Sequence, residues 1–181
     1  MLTARPFWFL RHGETDWNAQ GLSQGNVDIP LNPNGLAQAR AAAELLRGRG
    51  IASIVASPLS RALVTAEIAA AALGLPVLID EALREVRFGV QEGQPMQDWF
   101  SEWIEERFTP AGGEPFAELR ARAVAAINRA LDLPAPVLVV AHGALFRSLR
   151  SAMGLPAHER LPNATPILCA PNGAGWTLEA F

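Results

Sequence analysis

Short, continuous apolar runs alternate along this chain with longer stretches in which apolar positions recur every third or fourth residue. Phe7-Trp8-Phe9-Leu10, aromatic and halted abruptly by polar residues, predicts a buried strand. Gly13 to Leu31 is rich in Gly, Asn and Pro and predicts a loop. Asn32-Pro33 predicts an N-cap followed by Pro at the first helical position, opening an Ala-rich helix that stops near Gly48–Gly50. Ile51 to Ala56 predicts a second strand, and Ser57-Pro58 turns the chain. Ser60 is then the expected cap of a helix reaching Leu73, with Gly74 as its stop. Val77 to Ile79 predicts a third strand.

The pattern is less regular from Phe88 to Glu118, with a helix expected around Met96–Phe108 and a break at Gly112-Gly113. Pro115 to Leu131 predicts a helix, Val137 to Ala141 a buried strand, and Ala144 to Met153 a last helix before Gly154. Ile167–Ala170 and Trp176–Leu178 predict a closing hairpin with a primed turn at Asn172-Gly173. Strands alternating with helices imply an α/β three-layer sandwich, a mostly parallel sheet with helices on both faces. A chain of 181 residues fits a single domain, residues 1–181, with 88–118 read as a lid or cap insert.

Composition narrows the chemistry. Half the residues are hydrophobic and 18% are charged, which excludes a disordered chain. A net charge of −3 disfavours a nucleic-acid or anionic-membrane binder. All 15 basic residues are arginine, so Schiff-base lysine chemistry and the phosphate-binding loop with its G-K-[ST] ending are excluded. Cys169 stands alone, which removes a disulfide framework and a cysteine metal cluster and suggests a reduced compartment. The apolar run Pro6–Leu10 is too short for a signal peptide or a membrane span, so a cytoplasmic protein is expected.

Ligands of open α/β sheets bind at the carboxyl ends of the strands. Three such exits carry unusual residues: Arg11-His12-Gly13 after the first strand, Arg61 in the first turn of the helix after the second, and His142-Gly143 after the strand Val137–Ala141. Two guanidinium forks, two imidazoles and helix N-termini would make a phosphate pocket, each Gly letting backbone approach the ligand. A neutral imidazole there can attack phosphorus, flanking arginines offset charge on the oxygens in flight, and the leaving oxygen needs a proton. Glu85, in Leu83-Arg84-Glu85-Val86-Arg87-Phe88-Gly89, is the candidate acid, with a surface ion pair to Arg84 or Arg87 as its alternative. His158 lacks such a context and reads as a surface loop residue.

Leu10-Arg11-His12-Gly13-Glu14-Thr15 with Trp17-Asn18 resembles the signature of the histidine phosphatase superfamily, in its phosphoglycerate-mutase-like branch. The match continues through Gly25, Asp28, Pro30-Leu31, Gly35 and Gln38-Ala39. It resumes at Ser57-Pro58-Leu59-Ser60-Arg61-Ala62 with Thr65-Ala66, at Glu85 with Phe88-Gly89 and Glu92-Gly93, and at His142-Gly143 with Arg147. The resemblance implies a phosphoglycerate-mutase-like fold and His12 as nucleophile and phospho-carrier. It implies that Arg11, Arg61 and His142, with Asn18 and Gly143, bind the phosphoryl group, and that Glu85 is the proton donor and then the base for water. It implies no metal and no cofactor. The partner is then a small phosphorylated substrate; a homodimer is left open. Ala144, where a second Gly is common, and Pro115, where a Ser is frequent, depart from the pattern.

Between a mutase and a phosphatase, residues 88–118 decide the expectation. They hold Glu92, Asp98, Glu102, Glu105, Glu106, Glu114 and Glu118 against Arg107, beside Trp99, Phe100, Trp103, Phe108 and Phe116. The aromatics read either as a helix packed on the core or as an apolar, acidic lid poorly suited to a carboxylate-rich leaving group. Phosphomonoester hydrolysis is therefore expected, with α-ribazole phosphatase of cobalamin synthesis and phosphoglycerate mutase as alternatives. Gly21-Leu22-Ser23-Gln24-Gly25 spells G-x-S-x-G, but loop residues on both sides argue against a nucleophile elbow. There is no D-x-D pair, and Gly175 stands where a cysteine phosphatase needs arginine.

Overall fold

A computed structural model describes residues 1–173 and 175–181. Strands β1 (Phe7–Arg11), β2 (Ser53–Ala56), β3 (Val77–Ile79), β4 (Val137–Ala141), β5 (Pro166–Pro171) and β6 (Trp176–Ala180) form one sheet in the order β3-β2-β4-β1-β5-β6. The first four run parallel, with Arg11 opposite Ala141 and Ala56 opposite Val140; β5 pairs antiparallel with both β1 and β6. The helices are α1 (Asp16–Ala19), α2 (Pro33–Leu46), α3 (Ser60–Leu73), α4 (Trp99–Ile104), α5 (Phe116–Ala130) and α6 (Gly143–Ala152).

The period of two in the central strands sorts their side chains onto the two faces. Trp8, Leu10, Leu138 and Val140 pack with Ala42, Leu46, Ala66 and Ala69 of α2 and α3. Phe7, Phe9, Val137 and Val139 point the other way, onto Leu119, Ala126 and Ile127 of α5 and Leu145 and Leu149 of α6. Small alanines let α2 and α3 lie close to the sheet. Because β1 and β4 are neighbours and their following helices leave to opposite faces, a crevice opens beyond their carboxyl ends.

The expected elements are present, with local corrections. The loop after β1 contains α1, held by a capping box in which Thr15 and Asn18 bond each other's backbone N–H. Asn32 caps α2 by accepting the Gly35 N–H. Ser60 does not cap α3; Leu59 occupies that position, and Asp28 accepts both the N–H and the hydroxyl of Ser60 at 2.8 Å. The helix expected over Met96–Phe108 shrinks to α4, one and a half turns, ended as Glu106 takes a positive φ of 61°. In the closing hairpin the Asn172 N–H donates to the Gly175 carbonyl and Gly173 adopts φ 82°; the remainder of the expected turn, residue 174, lies outside the described residues. No helix among the described residues is long and apolar enough to cross a membrane.

Candidate active site

Arg11 is the last residue of β1, and the next residue, His12, is almost fully buried. The Nδ1 of His12 lies 2.7 Å from the Gly13 carbonyl oxygen. A carbonyl only accepts, so in the neutral ring the proton sits on Nδ1 and Nε2 keeps its lone pair. Burial first, then the Arg61 and Arg11 guanidiniums, hold the pKa of His12 well below its ordinary 6.5. The ring is thus a free base at neutral pH.

His142, fully buried at the end of β4, stands beside it: the two ring centroids are 5.3 Å apart. Its Nε2 is 2.7 Å from the Ser57 hydroxyl at the end of β2, which also accepts the Leu59 N–H. If Ser57 gives its hydrogen to Nε2, the ring proton falls on Nδ1, which meets no protein partner. Burial, then Arg61 and His12, depress this imidazole well below 6.5 as well.

Each buried arginine is tethered by its terminal nitrogens and left open at Nε. Arg61 donates to the carbonyls of Gly25 (2.7 Å) and Val27 (2.8 Å), and Arg11 to that of Leu161 (2.7 Å). The Nε of both is buried without a partner. Burial above all, then Arg160, pushes Arg11 down to about 10, with Glu85 opposing; it stays cationic at pH 7. Arg11 Nε, Arg61 Nε and His142 Nδ1 are thus three buried donors without a partner among the described residues. Each buried orphan costs about 1–3 kcal/mol, a cost that an anion would remove.

Glu85 completes the group. It is 7% exposed, and Arg84 pairs instead with Glu81, so the surface-partner alternative does not hold. Its Oε1 accepts the Leu145 and Val86 N–H groups, and Oε2 the Ala144 N–H. The carboxyl group is therefore fixed at the N-terminus of α6, where it accepts amides that have no partner within the helix. Asn26 Nδ2 braces the Glu85 carbonyl. Asn18 Oδ1 is occupied by Thr15 N and by Asn163 Nδ2, leaving its own Nδ2 unpartnered. No acceptor among the described residues meets the Gly143 N–H.

A cavity of about 310 Å³ is lined by Arg11, His12, Asn18, Arg61, Glu85 and Gly143, among others. The sequence-predicted site residues therefore converge; His142 is fully buried beside His12 and is not itself among the residues lining the cavity. The two glycines differ in role. A side chain on Gly143 would crowd the Arg11 guanidinium, 3.1 Å from Nε, whereas one on Gly13 would overlap the Gly35 carbonyl oxygen. Gly13 thus permits backbone to meet backbone, α2 against the loop after β1, and not a ligand.

One correction and two expectations that hold concern the rest of the chain. None of the seven acids of residues 88–118 faces the cavity: Glu102 and Glu105 pair with Arg107, Glu106 with Arg120, Glu114 with Arg122, and Glu92 binds backbone amides. That segment presents Phe88, Met96 and Phe100 instead, while Trp103 and Phe116 belong to the core. The acidic-lid argument against a charged leaving group therefore fails, because α4 turns its apolar side inward. Ser23 lies in a loop with no strand before it, and its buried hydroxyl bonds no imidazole, so the G-x-S-x-G is not an elbow. His158 is half-exposed beside Glu105, as expected.

The sequence profile of the histidine phosphatase superfamily (branch 1) matches residues 7–181. The chain belongs to this superfamily. A Yersinia pestis (strain Pestoides F) relative named "Probable phosphoglycerate mutase GpmB" is 39% identical over 163 residues, covering 83% of this chain and 76% of that one. Among solved structures, a mycobacterial glucosyl-3-phosphoglycerate phosphatase in complex with VO3 is 31% identical, with a TM-score of 0.84 over 98% of both chains. A candidate alpha-ribazole-5'-P phosphatase from Escherichia coli str. K-12 substr. MG1655 is 29% identical, with a TM-score of 0.82 over 99% of this chain and 96% of that one. This histidine phosphatase is thus a phosphatase-type enzyme with the phosphoglycerate-mutase-like fold.

Residues that sequence reasoning overlooked support the site from behind. Thr65 accepts the Gly13 N–H and donates to the Arg61 carbonyl, joining two strand exits. Gln24 accepts from Thr15, and Asn163, from the loop before β5, donates to the His12 carbonyl. Asn163 carries no local signal, being one polar residue in an irregular loop.

The two neutral rings make stability depend on pH. As pH falls through about 6.5 the unfolded chain takes up protons on both histidines and the native chain does not. Stability is expected to decline below that pH, by up to about 1.4 kcal/mol per pH unit for each ring. Urea unfolding at pH 7.5, 6 and 5 checks this; a midpoint that holds or rises toward pH 5 would mean that the buried rings accept protons in the fold.

Proposed function

We propose that the protein hydrolyses a phosphomonoester of a small phosphorylated metabolite through a phosphohistidine, with no metal and no cofactor. The observation carrying this reading is the free-base His12, its Nδ1 tied to Gly13 and its Nε2 open, surrounded by the orphaned donors of Arg11, Arg61 and His142. Guanidinium groups at such a floor attract a phosphate and repel a divalent cation. Residues 88–118 cap this pocket through Phe88, Met96 and Phe100.

His12 Nε2 attacks phosphorus as the bond to the leaving oxygen breaks. Arg11, Arg61, His142, Asn18 and the Gly143 N–H hold the phosphoryl oxygens. Glu85 gives its proton to the leaving oxygen; Oε1 already accepts two amides and Oε2 one, so the proton rides on Oε2. The resulting carboxylate takes a proton from water as that water attacks the phosphohistidine, releasing inorganic phosphate and free His12.

Hydrolysis is favoured over mutase action by the likeness to solved structures named as phosphatases, with TM-scores of 0.84 and 0.82. The test is phosphate release from p-nitrophenyl phosphate, α-ribazole phosphate and 3-phosphoglycerate with EDTA present. Phosphate should appear from p-nitrophenyl phosphate. Interconversion of 3- and 2-phosphoglycerate faster than phosphate release would instead establish a mutase.

A further inference from the structure

Two arginines at the mouth of the cavity are not used by the reaction just described. Arg147, half-buried on α6, donates to the carbonyls of Ala157 and His158, and its guanidinium stacks 5.3 Å from the Phe100 ring centroid. Arg160, exposed in the loop before β5, has neither a hydrogen bond nor an ion pair among the described residues, and both arginines line the cavity. The nearby carboxylates are committed elsewhere: Glu159 binds Arg150, Glu105 binds Arg107 and lies by His158, and Glu85 is held by α6. Burial first, then Arg160, depresses the proton affinity of both Arg11 and Arg147, only partly opposed by Glu85, as expected of cations that crowd one another.

We infer that Arg147 and Arg160 form a second anion subsite, so that the substrate is a phosphomonoester whose leaving group carries its own carboxylate or phosphate. This rests on the phosphatase reading and specifies the substrate class for the same pocket. His12, Arg11 and Arg61 occupy the floor, and Arg147 and Arg160 the rim; Phe88, Met96 and Phe100 supply the apolar wall along which the carbon frame lies. Arg147 is pre-positioned by its two carbonyl tethers and the Phe100 ring, so only Arg160 must be ordered when the substrate binds. A second anion also offsets the repulsion among the rim and floor cations, part of which an ester with an uncharged leaving group leaves in place.

Two matched substrate pairs test this. Glycerol 3-phosphate and 3-phosphoglycerate differ by a carboxylate, and fructose 6-phosphate and fructose 1,6-bisphosphate by a phosphate. The wild type should favour the more anionic member of at least one pair by about tenfold or more in kcat/KM, and the pair affected tells carboxylate from phosphate. Arg160→Met, at an exposed position without partners, should remove about fivefold of that preference, and Arg160→Glu should abolish it. The loss should fall on the more anionic member, and the preference should shrink in 0.5 M salt. Equal rates within both pairs, or Arg160 variants that slow both members alike, would overturn the subsite. No phosphate from these four or from p-nitrophenyl phosphate would sink the phosphatase reading and this inference with it.

Discussion

His12→Ala should lower kcat on every phosphomonoester by about 10⁴-fold or more and abolish the covalent intermediate. The size follows from the geometry. Without the imidazole, water would have to reach phosphorus from the very side that the ring occupies, with no base in line, since His142 is enclosed and Glu85 is placed for the leaving oxygen. The arginine cradle would survive, because Arg61 is tethered to Gly25 and Val27 and Arg11 to Leu161, so phosphate should still bind. Two measurements check this. Rapid quench into alkali followed by mass spectrometry should find phosphate on His12 in the wild type, labile in acid. Phosphate binding by the variant should stay within about tenfold of the wild type. A phosphoenzyme persisting in the variant, or substantial residual turnover, would remove His12 from the mechanism.

Glu85→Gln should slow alkyl phosphates by about 10²- to 10³-fold while slowing p-nitrophenyl phosphate less than about tenfold. An alkoxide cannot leave without a proton, whereas p-nitrophenolate hardly needs one. The substitution also disturbs the fold locally. An amide oxygen can replace Oε1, but the amide nitrogen would then face the Ala144 N–H that Oε2 now accepts, donor against donor. A stability loss of about 1–3 kcal/mol is therefore expected, and comparing the two substrates on the same folded variant separates the chemical effect from the structural one. Equal losses on both esters would mean that Glu85 positions α6 and does not transfer protons.

Much of the fold was legible because the signals were local. Phe7–Leu10 and Val137–Ala141 are apolar without interruption, as strands covered on both faces must be, and Asn32-Pro33 marks a helix start by cap chemistry and fixed φ. Where the signal depended on partners distant in sequence, the reading slipped. Ser60 looks like a cap, yet the cap function comes from Asp28, brought in by the loop after β1. The acids of 88–118 suggested an acidic lid, yet none lines the pocket, and Glu92, Glu102, Glu105, Glu106 and Glu114 each find an arginine or an amide outside it while α4 turns Phe100 inward.

The candidate site divides the same way. By itself, the chain's order of residues determined which chemistry is available: no lysine, a lone cysteine, and arginines and histidines placed where strands end. Those are properties of residue type and of short-range periodicity, which neighbours along the chain express without help. Tertiary structure alone decided the proton positions and the orphaned donors, for these depend on what lies within 3 Å of a nitrogen: Gly13 on His12, Ser57 on His142, and nothing at the Nε of Arg11 and Arg61. It also decided that Arg147 and Arg160, thirteen positions apart, look into one cavity, because burial and long-range contact are set by how the layers pack.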